Sequence, residues 1–306
     1  MSSPVRGAGS GPGAAAALGL TPDILQALER LTIPSRRTVL GASAGQRRSR
    51  RYGSSLDLAD YRAYVPGDDI RRLDWCAYAR LGRLFVRLYS GEEDACVSTW
   101  VDASASMAWD REHKGRPARA VAGALAFLAL AAEDRAACLG FAGAVLGRAG
   151  PVRGKRSAPV LWSALAGMPE GTETDWTKVA GAARSVPRGV AVVVSDFLSE
   201  VASVRPAVSA LRSAGNEVVL VQVLSPEDLR PSVRGELRLV DSETARAVEV
   251  TMSQAALDAY HAARQAHSRE LAAMAGSYDA RLVSVDGGTP LRQLLLGQLV
   301  RARVAR

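Results

Sequence analysis

Three oxygen-bearing side chains at two-residue spacing follow an apolar run of the sequence. Residues 96–101 predict a strand, and Asp102, Ser104 and Ser106 come directly after it. Because ligands gather beyond the carboxyl ends of parallel strands, a loop that curves there can direct all three oxygens to one point. A carboxylate and two hydroxyls are hard donors that suit Mg²⁺, Mn²⁺ or Ca²⁺ rather than zinc or copper. The triplet alone is equally consistent with a turn or a helix cap, where Ser and Asp are also common.

Two further segments carry the same kind of donor. The Val-rich run 190–194 predicts a strand buried on both faces, and Ser195 and Asp196 follow it. A polar loop between the two predicted strands holds Thr172 and Thr174. We expect Thr174 to be the donor, because the next helix begins just after it, although Thr172 could take the role. The three loops together favour a metal site over turns and caps.

The predicted site has two carboxylates and three hydroxyls. Its donors are Asp102, Ser104, Ser106, Thr174 and Asp196. Two carboxylates balance one divalent ion, so we expect an open position on the metal that a partner's Asp or Glu can fill. A phosphoryl-transfer enzyme that used Asp102 would need a second acidic group where Ser104 stands, and the sequence has no P-loop. We therefore predict binding rather than catalysis.

The elements around these loops predict one α/β domain with a smaller extension. The chain has 306 residues, of which 48% are hydrophobic and only 5% aromatic, which favours helices on a Val-rich sheet. Strands alternate with helices after residue 95, so we expect a mostly parallel sheet with helices on both faces. We divide the chain into a disordered tail (1–20), an N-terminal extension (21–94) and an α/β domain (95–306) with a hairpin near 236–250.

The order of the three loops resembles the metal-ion-dependent adhesion site of von Willebrand factor A domains. That family holds its metal through Asp, Ser, Ser, Thr and Asp side chains, some directly and some through water. The matching positions here are Asp102, Ser104, Ser106, Thr174 and Asp196. The resemblance implies a von Willebrand A-like, Rossmann-type sheet and a bound divalent cation, for which Mg²⁺ is our first choice and Mn²⁺ or Ca²⁺ the alternatives.

The N-terminal third carries a second resemblance. Residues 64–75 read Y-V-P-G-D-D-I-R-R-L-D-W, and the wider segment 45–94 is similar to the bacterial family called domain of unknown function 58. Its matching residues are Gly53, Asp57, Arg62, Tyr64, Gly67, Asp68, Asp69, Arg71, Asp74, Trp75, Ala79 and Arg80. Residues 56–58 depart from the pattern, since the family has glutamate followed by phenylalanine there. With the adhesion-type motif, the two resemblances cover about residues 21–305.

This second resemblance implies a cytoplasmic protein and a class of partner. Members of the family commonly accompany MoxR-type AAA+ ATPases. The expected role is therefore an adaptor or co-chaperone in complex assembly. Its partner is expected to be a MoxR-type ATPase or a client of that ATPase, which offers an Asp or Glu to the metal.

A basic segment supports an alternative function, the binding of nucleic acid or of an acidic surface. Six arginines and no acidic residue occur in residues 36–51, in a chain of net charge +8. Such a run could bind nucleic acid or an acidic surface, and binding to nucleic acid would weaken steeply with salt. Residues 41–45 also match G-x-S-x-G. We do not expect a serine hydrolase, because a buried strand does not precede this motif.

The cysteines and the apolar runs bear on the cellular compartment in which we expect the protein. Cys76, Cys96 and Cys138 are widely spaced and form no CxxC pattern, so we expect neither a zinc site nor a disulfide framework. Reduced thiols are typical of a cytoplasmic protein. The longest apolar run, residues 120–132, is too short to span a bilayer and predicts a buried helix.

Overall fold

The computed structural model describes residues 12–33, 58–66, 68, 70, 73–89, 96–232, 235–242 and 246–305. The chain divides into two compact units, one formed by Met1–Arg37 and Ala95–Arg306 and the other by Thr38–Asp94. Each unit is described by itself below. The arginine run at residues 36–51 and the G-x-S-x-G match at residues 41–45 lie outside the described residues.

The described segments form the following elements in chain order. The strands are β1 (Leu58–Ala63), β2 (Phe85–Tyr89), β3 (Cys96–Asp102), β4 (Arg135–Phe141), β5 (Val145–Arg153), β6 (Gly189–Ser195), β7 (Glu217–Leu224), β8 (Gly235–Val240), β9 (Ala247–Met252) and β10 (Arg281–Asp286). The helices are α1 (Pro12–Ala17), α2 (Pro22–Leu28), α3 (Trp75–Leu81), α4 (Ala105–Trp109), α5 (Gly115–Ala131), α6 (Ala158–Ala166), α7 (Trp176–Ala182), α8 (Val201–Ser213), α9 (Pro226–Leu229), α10 (Gln254–Ser277), α11 (Leu291–Gln293) and α12 (Leu299–Arg301).

A six-stranded sheet forms the centre of the larger unit. Its strand order is β10-β7-β6-β3-β4-β5, and every neighbouring pair is parallel except β4 and β5. Strands β3 and β6 are buried along their whole length, as expected for parallel strands that helices cover on both faces. The structure confirms the predicted α/β class with a mostly parallel sheet. The antiparallel edge strand β5 was not predicted, and most of its residues are partly or fully exposed.

Alternate residues of the sheet face two separate layers of core. In β3, Val97 and Val101 join the layer that contains α5, whereas Cys96 and Trp100 join the layer that contains α7 and α8. Helix α5 is rich in Ala and Leu and buried over most of its length, so it can lie close against the sheet. Covering both faces leaves the ends of the strands as the place where polar loops meet solvent.

The prediction of a disordered tail over residues 1–20 is wrong for residues 12–20. Residues 12–17 form α1, and Leu18 and Leu20 are each only 2% exposed. They pack close to Gly123 of α5, where an added Cβ would lie 3.0 Å from Leu18 Cδ1 and 3.3 Å from Leu20 Cδ1. Gly123 therefore leaves room for Leu18 and Leu20 against α5. The low-complexity composition of residues 1–20 gave no sign of this packing.

The expected boundary at residue 21 also shifts. Helix α2 contributes Ile24 and Leu28 to the same core layer as α5, so this segment belongs to the larger unit through Arg37. The predicted hairpin near residues 236–250 is present as the antiparallel pair β8 and β9. Among the described residues, no helix has both the length and the apolar character that a bilayer span requires.

The smaller unit contains an antiparallel pair, β1 and β2, and the helix α3. Asp74 caps α3 by accepting hydrogen bonds from the backbone N–H groups of Cys76 and Ala77 at 2.9 and 3.0 Å. Asp68 accepts one from Val65 N at 2.9 Å. Asp68 therefore shapes a turn and Asp74 caps a helix in this part of the motif. Gly53, Asp57, Gly67, Asp69 and Arg71 of the motif lie outside the described residues.

The packing of the N-terminal segment yields a first prediction. Leu20→Ala should lower the free energy of unfolding by about 2–4 kcal/mol, because it leaves a cavity between this segment and α5. Leu239→Ala is the control, since Leu239 is 47% exposed, and it should change stability by less than about 0.5 kcal/mol. Urea denaturation followed by circular dichroism measures both. Equal effects for the two variants would contradict the assigned packing.

Candidate metal centre

The carboxyl ends of three adjacent strands bring polar residues to one edge of the sheet. Asp102 is the last residue of β3, and Asp196 directly follows β6, its parallel neighbour. Both are buried, at 2% and 4% exposure. The next strand, β7, ends before Ser225, which caps the short helix α9. The sheet topology therefore places two buried carboxylates at neighbouring strand ends, as the sequence predicted.

Asp102 is the centre of a hydrogen-bond network. Its Oδ1 accepts a hydrogen bond from Ser104 N at 3.0 Å. Its Oδ2 accepts from Thr174 Oγ1 at 3.3 Å and from Ser195 Oγ at 2.7 Å. Ser195 Oγ in turn accepts from Phe197 N at 3.1 Å, which fixes the hydroxyl toward Asp102. Residues from two loops and from the end of β6 thus converge on one carboxylate.

The two serines of the triplet lie side by side. Ser104 Oγ and Ser106 Oγ are 3.0 Å apart, with Ser104 fully buried and Ser106 partly exposed. Ser104 is the residue before α4, but its side chain makes no capping hydrogen bond to that helix. Its hydroxyl is therefore available to the site, which argues against the helix-cap interpretation of this serine.

The threonine loop is held against the serine loop by backbone hydrogen bonds. Ala105 N donates to Thr172 O, and Gly171 N donates to Ala103 O, both at 2.7 Å. The side chain of Thr172 is exposed, whereas Thr174 reaches Asp102. The structure thus brings Thr174, rather than Thr172, to the carboxylate through its side chain.

The donor set fits a small, hard cation. Around Mg²⁺, ligand bonds of about 2.1 Å at right angles place adjacent oxygens about 3 Å apart. The Ser104–Ser106 and Thr174–Asp102 oxygen pairs, at 3.0 and 3.3 Å, have this spacing. Within the described ranges, no three His, Cys, Asp or Glu side chains are grouped to hold a metal, so hydroxyls would have to complete the ligand set here. Such a set suits Mg²⁺, Mn²⁺ or Ca²⁺.

Asp196 has a second partner that the sequence analysis missed. Lys114, the residue before α5, is 3% exposed, and its Nζ lies 3.1 Å from Asp196 Oδ2 and 2.9 Å from Asp228 Oδ2. The other oxygen of Asp196, Oδ1, accepts a hydrogen bond from Leu198 N at 3.3 Å. An ammonium ion therefore bridges the ends of β6 and β7.

Ser195, Lys114 and Asp228 are the site residues that sequence reasoning left out. Asp228 was detectable, because Ser225 and Asp228 follow a third buried strand and form a capping box at α9. The rule that selected Asp196 selects Asp228 as well. Ser195 adjoins a predicted donor. Lys114 had no comparable signal, since it lies in a polar loop twelve residues past the end of β3.

The electrostatics of the edge favour binding a cation. Burial raises the pKa of Asp102 to about 7, and the Asp196 carboxylate contributes to the rise, while hydrogen bonds from Ser195 and Ser104 oppose it. Burial disfavours the charged form of Lys114, but Asp196 and Asp228 outweigh it and raise the pKa of Lys114. Asp196 is thus paired with an ammonium group, whereas the hydrogen bonds that Asp102 accepts come from neutral serine and threonine groups.

The site opens into a cavity of about 680 Å³. Ser106, Thr174 and Asp196 line it, together with Arg238, Leu239 and Val240 of strand β8. The wall includes exposed apolar side chains: Trp109 is 70% exposed and Val240 is 60% exposed. The polar edge of the sheet therefore lies next to an apolar surface that solvent reaches.

Comparisons with known proteins cover most of the chain. A family model described as Protein of unknown function DUF58 matches residues 60–270. Uncharacterized protein Rv1480 of Mycobacterium tuberculosis (strain ATCC 25618 / H37Rv) is 30% identical over 275 residues, which cover 86% of this chain and 85% of the relative. Uncharacterized protein Mb1516 of Mycobacterium bovis has the same identity and coverage. The solved structure of conserved hypothetical protein BatB from Bacteroides thetaiotaomicron is similar with a TM-score of 0.43, at 15% identity, over 68% of this chain and 98% of that chain.

The raised pKa of Asp102 gives a prediction for the metal-free protein. A carboxyl whose folded-state pKa is about 7, against 3.8 when unperturbed, stabilises the fold at low pH and loses this contribution as pH rises through 7. In EDTA, wild type should therefore lose stability between pH 5 and pH 8, and Asp102→Asn should lose less.

Urea unfolding at the two pH values measures this difference. The control is Asp279→Asn, because the Asp279 side chain is 55% exposed, and it should behave as wild type does. The same loss of stability in wild type and Asp102→Asn would contradict the assigned environment of Asp102.

Proposed function

The chain belongs to the DUF58 family of proteins of unknown function, and we propose that it is a divalent-metal-dependent protein-binding module. One observation carries the proposal: oxygen donors from three loops meet at one edge of the sheet. The hydrogen bonds that join Asp102 to Thr174 and Ser104 to Ser106 support it. Their order along the chain also supports a von Willebrand A-like assignment of the domain.

In this proposal, five side chains hold the metal directly or through water. They are Asp102, Ser104, Ser106, Thr174 and Asp196. Mg²⁺ is the expected ion, with Mn²⁺ and Ca²⁺ as alternatives, because all the donors are oxygens. The bound ion supplies a positive charge that a partner's carboxylate can contact. Ser106 and Thr174 support this geometry, since both line the cavity and are only partly buried.

The surroundings of the site support a protein partner. A metal that accepts one Asp or Glu needs nearby surface to give affinity and selectivity, and apolar side chains at the centre of a contact commonly provide it. Trp109, Leu239 and Val240 line the cavity and are exposed. We propose that the partner is a MoxR-type AAA+ ATPase or its client, and that this chain serves as an adaptor or co-chaperone without enzymatic activity.

The proposal includes a cytoplasmic location. Cys76, Cys96 and Cys138 form no disulfide. Burial raises the pKa of Cys138 to about 12 and that of Cys96 to about 11, which makes both thiols poor nucleophiles. Unpaired thiols are typical of reducing compartments, and this supports the assignment.

A matched pair of threonine variants tests the metal site. Thr174→Val should weaken Mg²⁺ binding at least about tenfold, because a methyl group replaces a donor of the ligand set. Thr172→Val should leave the affinity within about twofold of wild type, because the Thr172 side chain is exposed. Isothermal titration calorimetry of the full chain measures both. The opposite result would move the donor to Thr172, and no Mg²⁺ binding by wild type would end the proposal.

A purified MoxR-type AAA+ ATPase tests the proposed partner. Biolayer interferometry should detect binding in Mg²⁺ and ATP, and excess EDTA or Ser106→Ala should abolish or strongly weaken it, since the metal joins the two proteins. Ser203→Ala, an exposed serine on α8, is the control. Binding that persists in EDTA would contradict the proposal. Binding of duplex DNA that weakens steeply with salt, without metal dependence, would instead support the basic-segment alternative.

A further inference from the structure

A positively charged side chain is unfavourable at Lys114 for two reasons. It directly precedes the 17-residue helix α5, where the helix dipole disfavours a positive charge. Its ammonium group is also buried, with a side chain only 4% exposed, and burying an ion costs free energy. Ion pairs of this kind contribute little net stability compared with apolar residues of the same size. Stability of the fold is therefore a poor explanation for a lysine at this position.

The partners of Lys114 are rigidly held. Asp228 Oδ2 accepts a hydrogen bond from Ser225 N at 2.9 Å, and Asp228 N donates to Ser225 Oγ at 3.1 Å. Asp196 is fixed through its backbone, because Gln222 Nε2 donates to Asp196 O at 2.9 Å. The ammonium group thus lies between two carboxylates that the ends of β6 and β7 hold in place. Asp196 is itself one of the proposed metal ligands.

The net charge of this cluster determines how much charge a bound metal must neutralise. The edge holds three carboxylates, Asp102, Asp196 and Asp228, and one ammonium group, Lys114. With all four ionised, the net charge is minus two, which one divalent ion neutralises. The cavity wall adds Arg238 and Asp241, one charge of each sign. Without Lys114 the cluster would carry minus three, and without the charge of Asp228 it would carry minus one.

We propose that Lys114 is a fixed internal cation of the metal centre, and that Asp228 positions it there so that the site is matched to a divalent ion. This inference rests on the proposed metal binding and deepens it. Lys114 and the metal both interact with Asp196. The charge of Lys114 therefore weakens the attraction between that carboxylate and the exchangeable metal ion. Asp228 acts on the metal through Lys114 and is not itself a ligand.

Opposite effects of two single substitutions test the proposal. Lys114→Met removes the charge with a side chain of similar length, and it should tighten Mn²⁺ binding at least about fivefold, since a repulsive charge near the metal is lost. Asp228→Asn keeps the shape and should weaken binding at least about fivefold, because the ammonium charge is then less well balanced. The double variant restores the net charge and should return to within about threefold of wild type.

Electron paramagnetic resonance of free Mn²⁺ measures the affinities and the number of bound ions in the full-length chain. The matched controls are Lys155→Met and Glu29→Gln, an exposed pair with Nζ 3.0 Å from Oε2. Lys155 lies beyond the opposite end of the sheet, because β5 runs antiparallel and Arg153 pairs with Arg135. These controls change the protein charge equally and should leave the affinity within about twofold of wild type.

The outcomes separate this inference from the proposed function. If wild type binds one Mn²⁺ but both single variants weaken binding and the double variant does not recover, Lys114 has only a structural role and the inference is wrong. If wild type binds no Mn²⁺, both proposals are wrong. Thermal melting of each variant checks the fold. If Lys114→Met does not fold, Asp228→Asn and the double variant still decide, because only the inference predicts that the second substitution restores affinity.

Discussion

The repulsion between two buried carboxylates is the interaction around which this sheet edge is arranged. Asp102 and Asp196 lie at the ends of adjacent parallel strands. Burial is the main cause that raises the pKa of Asp102 to about 7, and the proximity of Asp196 adds to the rise. Buried like charges are tolerated only with protons, hydrogen bonds or cations to offset them. Hydrogen bonds from Ser104, Thr174 and Ser195 offset part of the charge at Asp102. The ammonium of Lys114 offsets it at Asp196, and a divalent ion would complete the balance at Asp102.

The fold makes this arrangement possible because the two faces of the sheet are covered and the ends of its strands are not. Helices pack on both faces of the sheet, and the central strands β3 and β6 are buried throughout. The loops that leave these strands must therefore satisfy their polar groups at the sheet edge. Backbone hydrogen bonds between the serine and threonine loops, such as Ala105 N to Thr172 O, keep the hydroxyls facing one another. Rigid strands thus set the positions of the carboxylates, and paired loops set those of the hydroxyls.

Much of this architecture was predictable from local patterns, and the remainder depended on long-range packing. Val-rich runs and helix periodicity predicted the sheet and its parallel strands, so the placement of Asp102 and Asp196 followed from topology. Periodicity could not reveal α1, because the residues that fix it, Leu18 and Leu20, pack on Gly123 of a distant helix. Lys114 was missed for the same reason: its contacts with Asp196 and Asp228 span 82 and 114 positions of sequence, and no short motif records them.

The most direct test of the account is the position of a bound ion. Crystals of the full chain grown with Mn²⁺ should give one anomalous-scattering peak at the sheet edge, with hydroxyl oxygens of the triplet or Thr174 at about 2.2 Å. Lys114 should remain between Asp196 and Asp228 in the same crystals. A peak elsewhere on the molecule, or no peak at saturating Mn²⁺ at pH 8, would contradict the claim that these loops form a metal centre.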